Sequence, residues 1–464
     1  MSAPPKSKRK PKSKPKRPQG NKRSRVDTTR ASAGPLWSLY LRALGPGLVT
    51  GASDDDPSGI ATYAQAGAKF GFGLLWTSLL TLPLMAAVQE ICDRTALATG
   101  KNLGRLVTDR FAGRARIVIG TLLGALFVAN LFNITADLAA IGEGANLLHA
   151  GPSWLWALLA GALVTAAVIT GSFETIARAF KILCLALFAY VGVLFTAHVH
   201  WTSVAVYTFV PHIQLSAAYF TLLVAVLGTT ISPYLFFWQS AHRIEELRDE
   251  REGRERAVPL KARTQTKAKR KQLTSRFDVF SGMTFSNLVM FAIIVATAST
   301  LGHSGHGGHA DIGSAAQAAR ALKPVAGASS SILFALGFIG AGFLAVPVLA
   351  GSGSAGMAGL LRKDWGFSKS PRQAPVFYSL VALGTIGGTL LTLVGVNPIK
   401  LLVIVAVING IAAAPFLAVA MVIAGNRKIM GNRRNGRLAA SIGWITVVLM
   451  AASSIVLVAT MIHG

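Results

Sequence analysis

Three consecutive carboxylates, Asp54, Asp55 and Asp56, followed by Pro57, Ser58 and Gly59, lie inside an otherwise apolar stretch from Leu44 to Ala66. An ionisable residue at membrane depth is costly to place and marks a functional site by default. Pro57 and Gly59 interrupt helical hydrogen bonding where the acids sit. Such broken backbone is tolerated in hydrocarbon only where protein or water satisfies the freed groups. Carboxylates beside unpaired carbonyls are hard oxygen donors, and the chemistry they suit is binding a cation. Asp56 is the expected anchor, direct or through water. Asp55, and after it Asp54, add charge around the ion's water shell, and the backbone at Ser53 adds a carbonyl oxygen. A second break, Thr229-Thr230-Ile231-Ser232-Pro233-Tyr234, brings Thr229, Thr230 and Ser232 as further donors. Blander roles stand beside these. Asp56 also suits a helix cap, and the threonines suit interhelical hydrogen bonding. Side chains turn by about 100° per helical residue, so Asp54 or Asp55 also suits an aqueous vestibule.

The elements that must position these groups are transmembrane helices. The 464 residues are 52% hydrophobic and only 14% charged, against roughly 25% charged in soluble domains; the mean hydropathy is +0.51. Apolar windows of about 18–25 residues mark spans. Eleven are expected, near 43–66, 71–97, 117–148, 152–171, 179–199, 216–240, 279–301, 328–353, 375–395, 399–425 and 439–462. The third is too long for one bilayer thickness, so its helix projects or tilts. Threading the spans from a cytoplasmic N-terminus puts Lys101, Arg105, Arg110, Arg114, Arg116, the 242–276 block, Arg372 and the Arg427–Arg437 cluster on the inside. That is the positive-inside pattern. The two breaks fall in spans one and six, an odd number apart, so the units holding them point opposite ways. Interrupted helices at matching places in inverted halves point to a secondary transporter's midplane site.

The expected organisation is therefore an all-α, multi-pass membrane protein with two inverted five-helix repeats. Residues 1–42 form a basic, disordered cytoplasmic tail. A transport domain follows over 43–425, its repeats at about 43–199 and 216–425. Within it, 242–276 is a basic cytoplasmic loop opened by a helical extension of span six, and 426–464 adds a basic loop and an eleventh span. The formal net charge of +27 has the look of a nucleic-acid signature. Its location before and between apolar runs instead suits topology setting and anionic headgroups, so no nucleic-acid partner is expected. Cys92 and Cys184 both lie in apolar runs and give no disulfide framework. No cleavable signal peptide is visible, because no apolar run precedes Arg42. His303, His306 and His309 sit in a glycine-rich outer loop, where solvation is the simplest reading. Asn409 suits helix packing or pathway lining.

A set of motifs runs in order along about residues 41–432: Gly45-Pro46-Gly47-Leu48-Val49-Thr50-Gly51, the Asp-Pro break, Gly71-Phe72-Gly73-Leu74-Leu75-Trp76, Gln89-Glu90, Thr99-Gly100-Lys101-Asn102-Leu103, Ala136-Asp137-Leu138-Ala139, the span-six break, and Gly337-Phe338-Ile339-Gly340-Ala341-Gly342. Together they resemble the Nramp family of divalent metal transporters, which implies a LeuT-like fold with broken helices one and six. The departures are instructive. Where the family has Asp-Pro-Gly-Asn with both Asp and Asn on the metal, this chain keeps Asp56 but has Gly59 at the Asn position. The family's methionine position is Ser232, the histidine that follows it is Tyr234, and the glutamate after the span-three aspartate is Ala140, although Asp137 is kept. The combination looks like the Nramp-related magnesium transporters. A thioether favours Mn²⁺ or Fe²⁺ over Mg²⁺, whereas Mg²⁺ takes oxygen ligands and keeps several waters. The resemblance thus implies transport of Mg²⁺, and also Mn²⁺, into the cytoplasm without obligatory proton coupling, in a cell-membrane monomer with no cofactor, no obligatory protein partner and no enzymatic activity. The rival readings are a proton-coupled Mn²⁺/Fe²⁺ importer and a metal-sensing receptor or scaffold.

Overall fold

Pro46 opens the first helix and Pro57 the second, and the short gap between them organises everything around it. The computed structural model describes residues 46–170, 199–250, 257–300, 312–320, 327, 330–395 and 397–463. The tail, the fifth span near 179–199 and the His303, His306 and His309 loop lie outside the described residues. Helix α1 (Pro46–Asp54) stops two residues short of α2 (Pro57–Phe70). The reason is local: Asp56 is extended at φ −65°, ψ 171°, its side chain accepts the Gly59 amide, and Pro57 takes the first helical turn, where its missing N–H costs nothing. Gly71, at φ 56°, ends α2, and after a 3₁₀ turn at Gly71–Leu74 the chain enters α3 (Trp76–Thr99) bent by 108°.

The chain continues through α4 (Leu103–Arg110), α5 (Gly113–Leu147), α6 (Ser153–Thr170) and α7 (Trp201–Phe209). The 35 residues of α5 exceed the roughly 20 that cross a bilayer core, so its length matches the projecting third span. Helices α8 (Ala217–Thr230) and α9 (Pro233–Asp249) repeat the first break: two residues apart, with Ser232 at the N-cap and Pro233 following. Then come α10 (Gln265–Thr300), α11 (Ala315–Arg320), α12 (Ser330–Leu360), α13 (Pro375–Leu391), α14 (Pro398–Gly425), α15 (Arg427–Met430) and α16 (Arg437–His463). No strand occurs among the described residues. Among the described residues, eight helical segments, α8 and α9 counted as one, are long and apolar enough to cross a membrane, and the bent pair α2–α3 makes a ninth.

Polarity is arranged inside out. Leu163, Ile445, Val448 and Ile455 are more than half exposed, while Asp54, Asp55, Asp137 and Asn409 are fully buried. Contiguous apolar surface of this kind suits lipid, not water. Residues 242–249 continue α9 and 265–276 open α10, so much of the basic 242–276 block is helix end rather than loop. Arg243 explains it: its charge is bonded within the bundle, which keeps the helix going. Helix α10 packs along α1, α2 and α3, α12 along α5 and α9, and α14 against α8 and α2. The α1–α10 approach is close enough that a Cβ on Gly51 would meet the Gly282 carbonyl at 2.2 Å.

Candidate functional site

The two breaks meet. Helix α2 packs on α8 and α1 on α9, so the C-termini of α1 and α8, with their partial negative charge, come to one region. Asp56 lies there, 1% exposed. Its Oδ1 accepts from the Ser58 hydroxyl at 2.5 Å and the Gly59 amide at 2.8 Å. The Tyr234 hydroxyl sits 3.0 Å from Oδ2 and 3.2 Å from the Ser53 carbonyl oxygen, and shares its hydrogen between them. Ser58 in turn lies 3.5 Å from the Thr229 hydroxyl. One phenol thus ties the end of α1, the cap of α2 and the start of α9. Gly59 lies close to its neighbours: a Cβ there would lie 3.1 Å from Thr229 Oγ1 and 3.2 Å from the Asp54 carbonyl oxygen, so either would have to give by a few tenths of an ångström.

Asp56 both caps α2 and faces the second break, so the helix-cap and ligand readings coexist. Ser53, Gly59 and Thr229 are brought to it. Thr230 is not: its hydroxyl donates to the Val226 carbonyl of its own helix at 2.9 Å. Ser232 is fully buried, and its hydroxyl donates to the Gly228 and Thr229 carbonyls at 2.6 and 2.9 Å. The vestibule reading of Asp54 and Asp55 is overturned, because both are 0% exposed. Helix α10 covers them, and Ser286 donates to Asp54 Oδ2 at 2.6 Å. Among the described residues, neither Asp55 oxygen, nor Asp54 Oδ1, nor either Asp137 oxygen has a hydrogen-bond partner. Buried carboxylate oxygens left open this way are costly unless something charged or protic reaches them. Asn409 donates to Asn133 at 3.0 Å and joins α14 to α5, which is the packing role. Among the described residues no three His, Cys, Asp or Glu side chains converge on one point. The polar groups that surround Asp56 are hydroxyls and backbone carbonyls and amides.

Two groups of consequence carried no sequence signal. Ser286 is one hydroxyl among many in an apolar run. The other is a buried ionic knot beyond the N-terminal end of α1. Arg243 reaches Asp93 at 2.5 Å, Glu246 at 2.5 Å and Asp278 at 2.9 Å, while Gln239 donates to Asp93 at 2.8 Å and Thr50 to Gln239. Asp278 also accepts the Gly47 amide at 2.8 Å and the Leu48 amide at 3.2 Å. Spacing in the sequence gives no hint of a contact between residues 47 and 278.

The profile of the family described as natural resistance-associated macrophage protein-like, Nramp, matches residues 47–460. The chain belongs to the Nramp family. Among its Nramp relatives, the divalent metal cation transporter MntH of Verminephrobacter eiseniae is 27% identical over 434 residues, 91% of this chain and 90% of that protein. The protein of the same name from Mycobacterium leprae is 25% identical over 444 residues, 93% and 94% of the two chains. A crystal structure of the Eremococcus coleocola manganese transporter superposes with a TM-score of 0.68 at 15% identity, over 92% of this chain and 87% of that one. The Nramp fold is therefore shared almost end to end. A nucleobase–cation symport family transporter superposes at a TM-score of 0.51, over 90% and 91% of the chains, so the same LeuT-like architecture underlies both.

Proposed function

We propose that this Nramp chain is a transporter, not an enzyme, which carries a divalent metal ion into the cytoplasm, with Mg²⁺ as main cargo and Mn²⁺ also accepted, and without obligatory proton coupling. The names of its relatives support divalent metal transport. The observation that carries the finer reading is the donor set around Asp56: the Ser58 and Tyr234 hydroxyls, with Thr229 beyond and the Ser53 carbonyl beside it, all oxygen. Among the described residues neither sulfur nor imidazole bonds to Asp56, and hard oxygen surroundings suit a cation that keeps part of its hydration shell. Asp56 is the anchor in this reading. Ser53 and Thr229 offer oxygens, Gly59 and Ser232 leave room, and Asp55 adds charge. Thr230 drops to a helix-stabilising role. We place the protein in the cell membrane as a monomer, with its N-terminus in the cytoplasm.

The test is Mg²⁺ flux into proteoliposomes with a pH dye trapped inside and a set membrane potential. Mg²⁺ entry without acidification, lost in Asp56→Ala, is the expected result. Mn²⁺ entry with protons and exclusion of Mg²⁺ would overturn it. The second reading, proton-coupled import, is favoured by one observation: Asp137 on α5 is fully buried with both oxygens open, as a proton carrier would be. The same dye decides between the two. A receptor that binds metal without moving it would show no flux at all.

A further inference from the structure

A cleft of about 950 Å³ opens between the first turns of α10 and the connection from α15 into α16. Eight basic side chains line it and no carboxylate does. Some of that charge is answered from behind: Arg94 and Arg276 both bond Glu90, and Arg263 bonds Glu250. Arg433 donates to Gln272 and the Arg94 guanidinium to the Arg433 carbonyl, which fixes the cleft floor. Lys261, Lys428, Arg434 and Arg437 are exposed at its mouth, and none of them has a carboxylate partner among the described residues. Four cations held around one concavity, without a carboxylate partner among the described residues, form an anion site, and guanidinium groups favour phosphate oxygens because they donate in pairs.

The rim decides which phosphate. Leu438 lines the cleft directly after Arg437 and is 76% exposed, and Trp444 and Ile445 continue that exposed apolar surface along α16. On the α10 side Leu273 and Phe277 flank Arg276 at 56% and 44% exposure. A soluble phosphate needs no such flank, whereas a phospholipid does. We infer that this cleft holds the headgroup of an anionic phospholipid, its phosphate on Arg434, Arg437 and Lys428 and its acyl chains along the outer faces of α10 and α16. Basic pockets at the cytoplasmic ends of membrane helices are suited to this use, and the positive-inside rule puts this end of the bundle in the cytoplasm.

The experiment is native mass spectrometry of the full-length protein titrated with dioleoylphosphatidylglycerol or dioleoylphosphatidylcholine. Wild type is expected to retain the glycerol lipid in preference to the choline lipid. The double variant Arg434→Gln/Arg437→Gln should lose about tenfold in that retention and Lys428→Gln a smaller part, while Lys363→Gln, an exposed cation outside the cleft, should change nothing. An unchanged unfolding midpoint certifies the double variant, and if it unfolds, Lys428→Gln decides alone. Equal retention of both lipids by wild type, or undiminished retention by the variants, would overturn the inference. A third arm adds inorganic phosphate and ATP. If either binds and the glycerol lipid does not, the phosphate is soluble and the lipid assignment fails.

Discussion

Asp56 is a carboxylate with strong donors already in place, and Tyr234 is the one that the cation proposed for this site would have to contend with. The phenol holds Oδ2 at 3.0 Å. A hydrogen bond to a charged group contributes about 1.5–3 kcal/mol, so it stabilises the ion-free site and would compete with the proposed cargo. Tyr234→Phe is therefore expected to lower the KM for Mg²⁺ in the flux assay while destabilising the ion-free protein; an unchanged KM would mean that the phenol stays on Oδ2 when the ion binds. Ser232→Met replaces a hydroxyl with a soft donor at the second break, and the expected result is a shift of about tenfold, or 1.4 kcal/mol, in the Mn²⁺ to Mg²⁺ uptake ratio towards Mn²⁺. An unaltered ratio removes Ser232 from the selectivity account. Asp56, Ser53 and Thr229 were legible in the sequence because an acid or hydroxyl beside a proline in an apolar run has few bland explanations. Tyr234 was legible only as a missing histidine. A phenol in an apolar segment looks like core, and its partner Asp56 is 178 residues away.

The broken helices were legible for a reason that needs no tertiary information: each has an N-cap residue of a favoured type, Asp56 or Ser232, immediately before a proline, although only Asp56 caps through its side chain. Where helices end was harder. The sequence placed a basic loop over 242–276 opened by a helical extension of span six; α9 does run on to Asp249, but α10 already begins at Gln265, inside the expected loop. Charge density suggested solvent. In the fold Arg243 is fully buried between Asp93 and Asp278, so the charges serve as joints between α3, α9 and α10. Removing the central cation leaves buried carboxylates uncompensated, which costs about 3–5 kcal/mol. Arg243→Met should accordingly lower the thermal unfolding midpoint of the detergent-purified protein far more than Arg362→Met, whose side chain is 55% exposed. Equal midpoints would show that the knot contributes little to holding these helices together.

For the molecule as a whole, the arrangement of charge predicts a topology. Single cysteines replacing Lys101 and Arg372 should react with an impermeant maleimide only from the inside, and one replacing Lys400 only from the outside; all three are exposed. The opposite pattern would invert the protein in the bilayer. With the N-terminus inside, uptake of a dication gains roughly 4–5 kcal/mol per 100 mV of inside-negative potential. Abolishing that potential should slow Mg²⁺ entry, and a rate indifferent to voltage would contradict charge movement by the bare ion. One feature of the first helix bears on how the protein is made. The amides that open α1 find their acceptor in Asp278, 231 and 230 residues later, and Asp54 finds Ser286 232 residues later. At about 5–20 residues per second, the ribosome leaves this acid-bearing segment without those partners for roughly 10–50 s. A nascent chain stopped before Asp278 has three aspartates at membrane depth and lacks the part of α10, from Asp278 through Ser286, that covers them. A segment made early is thus among the last to be finished, and quality control has a long opportunity there.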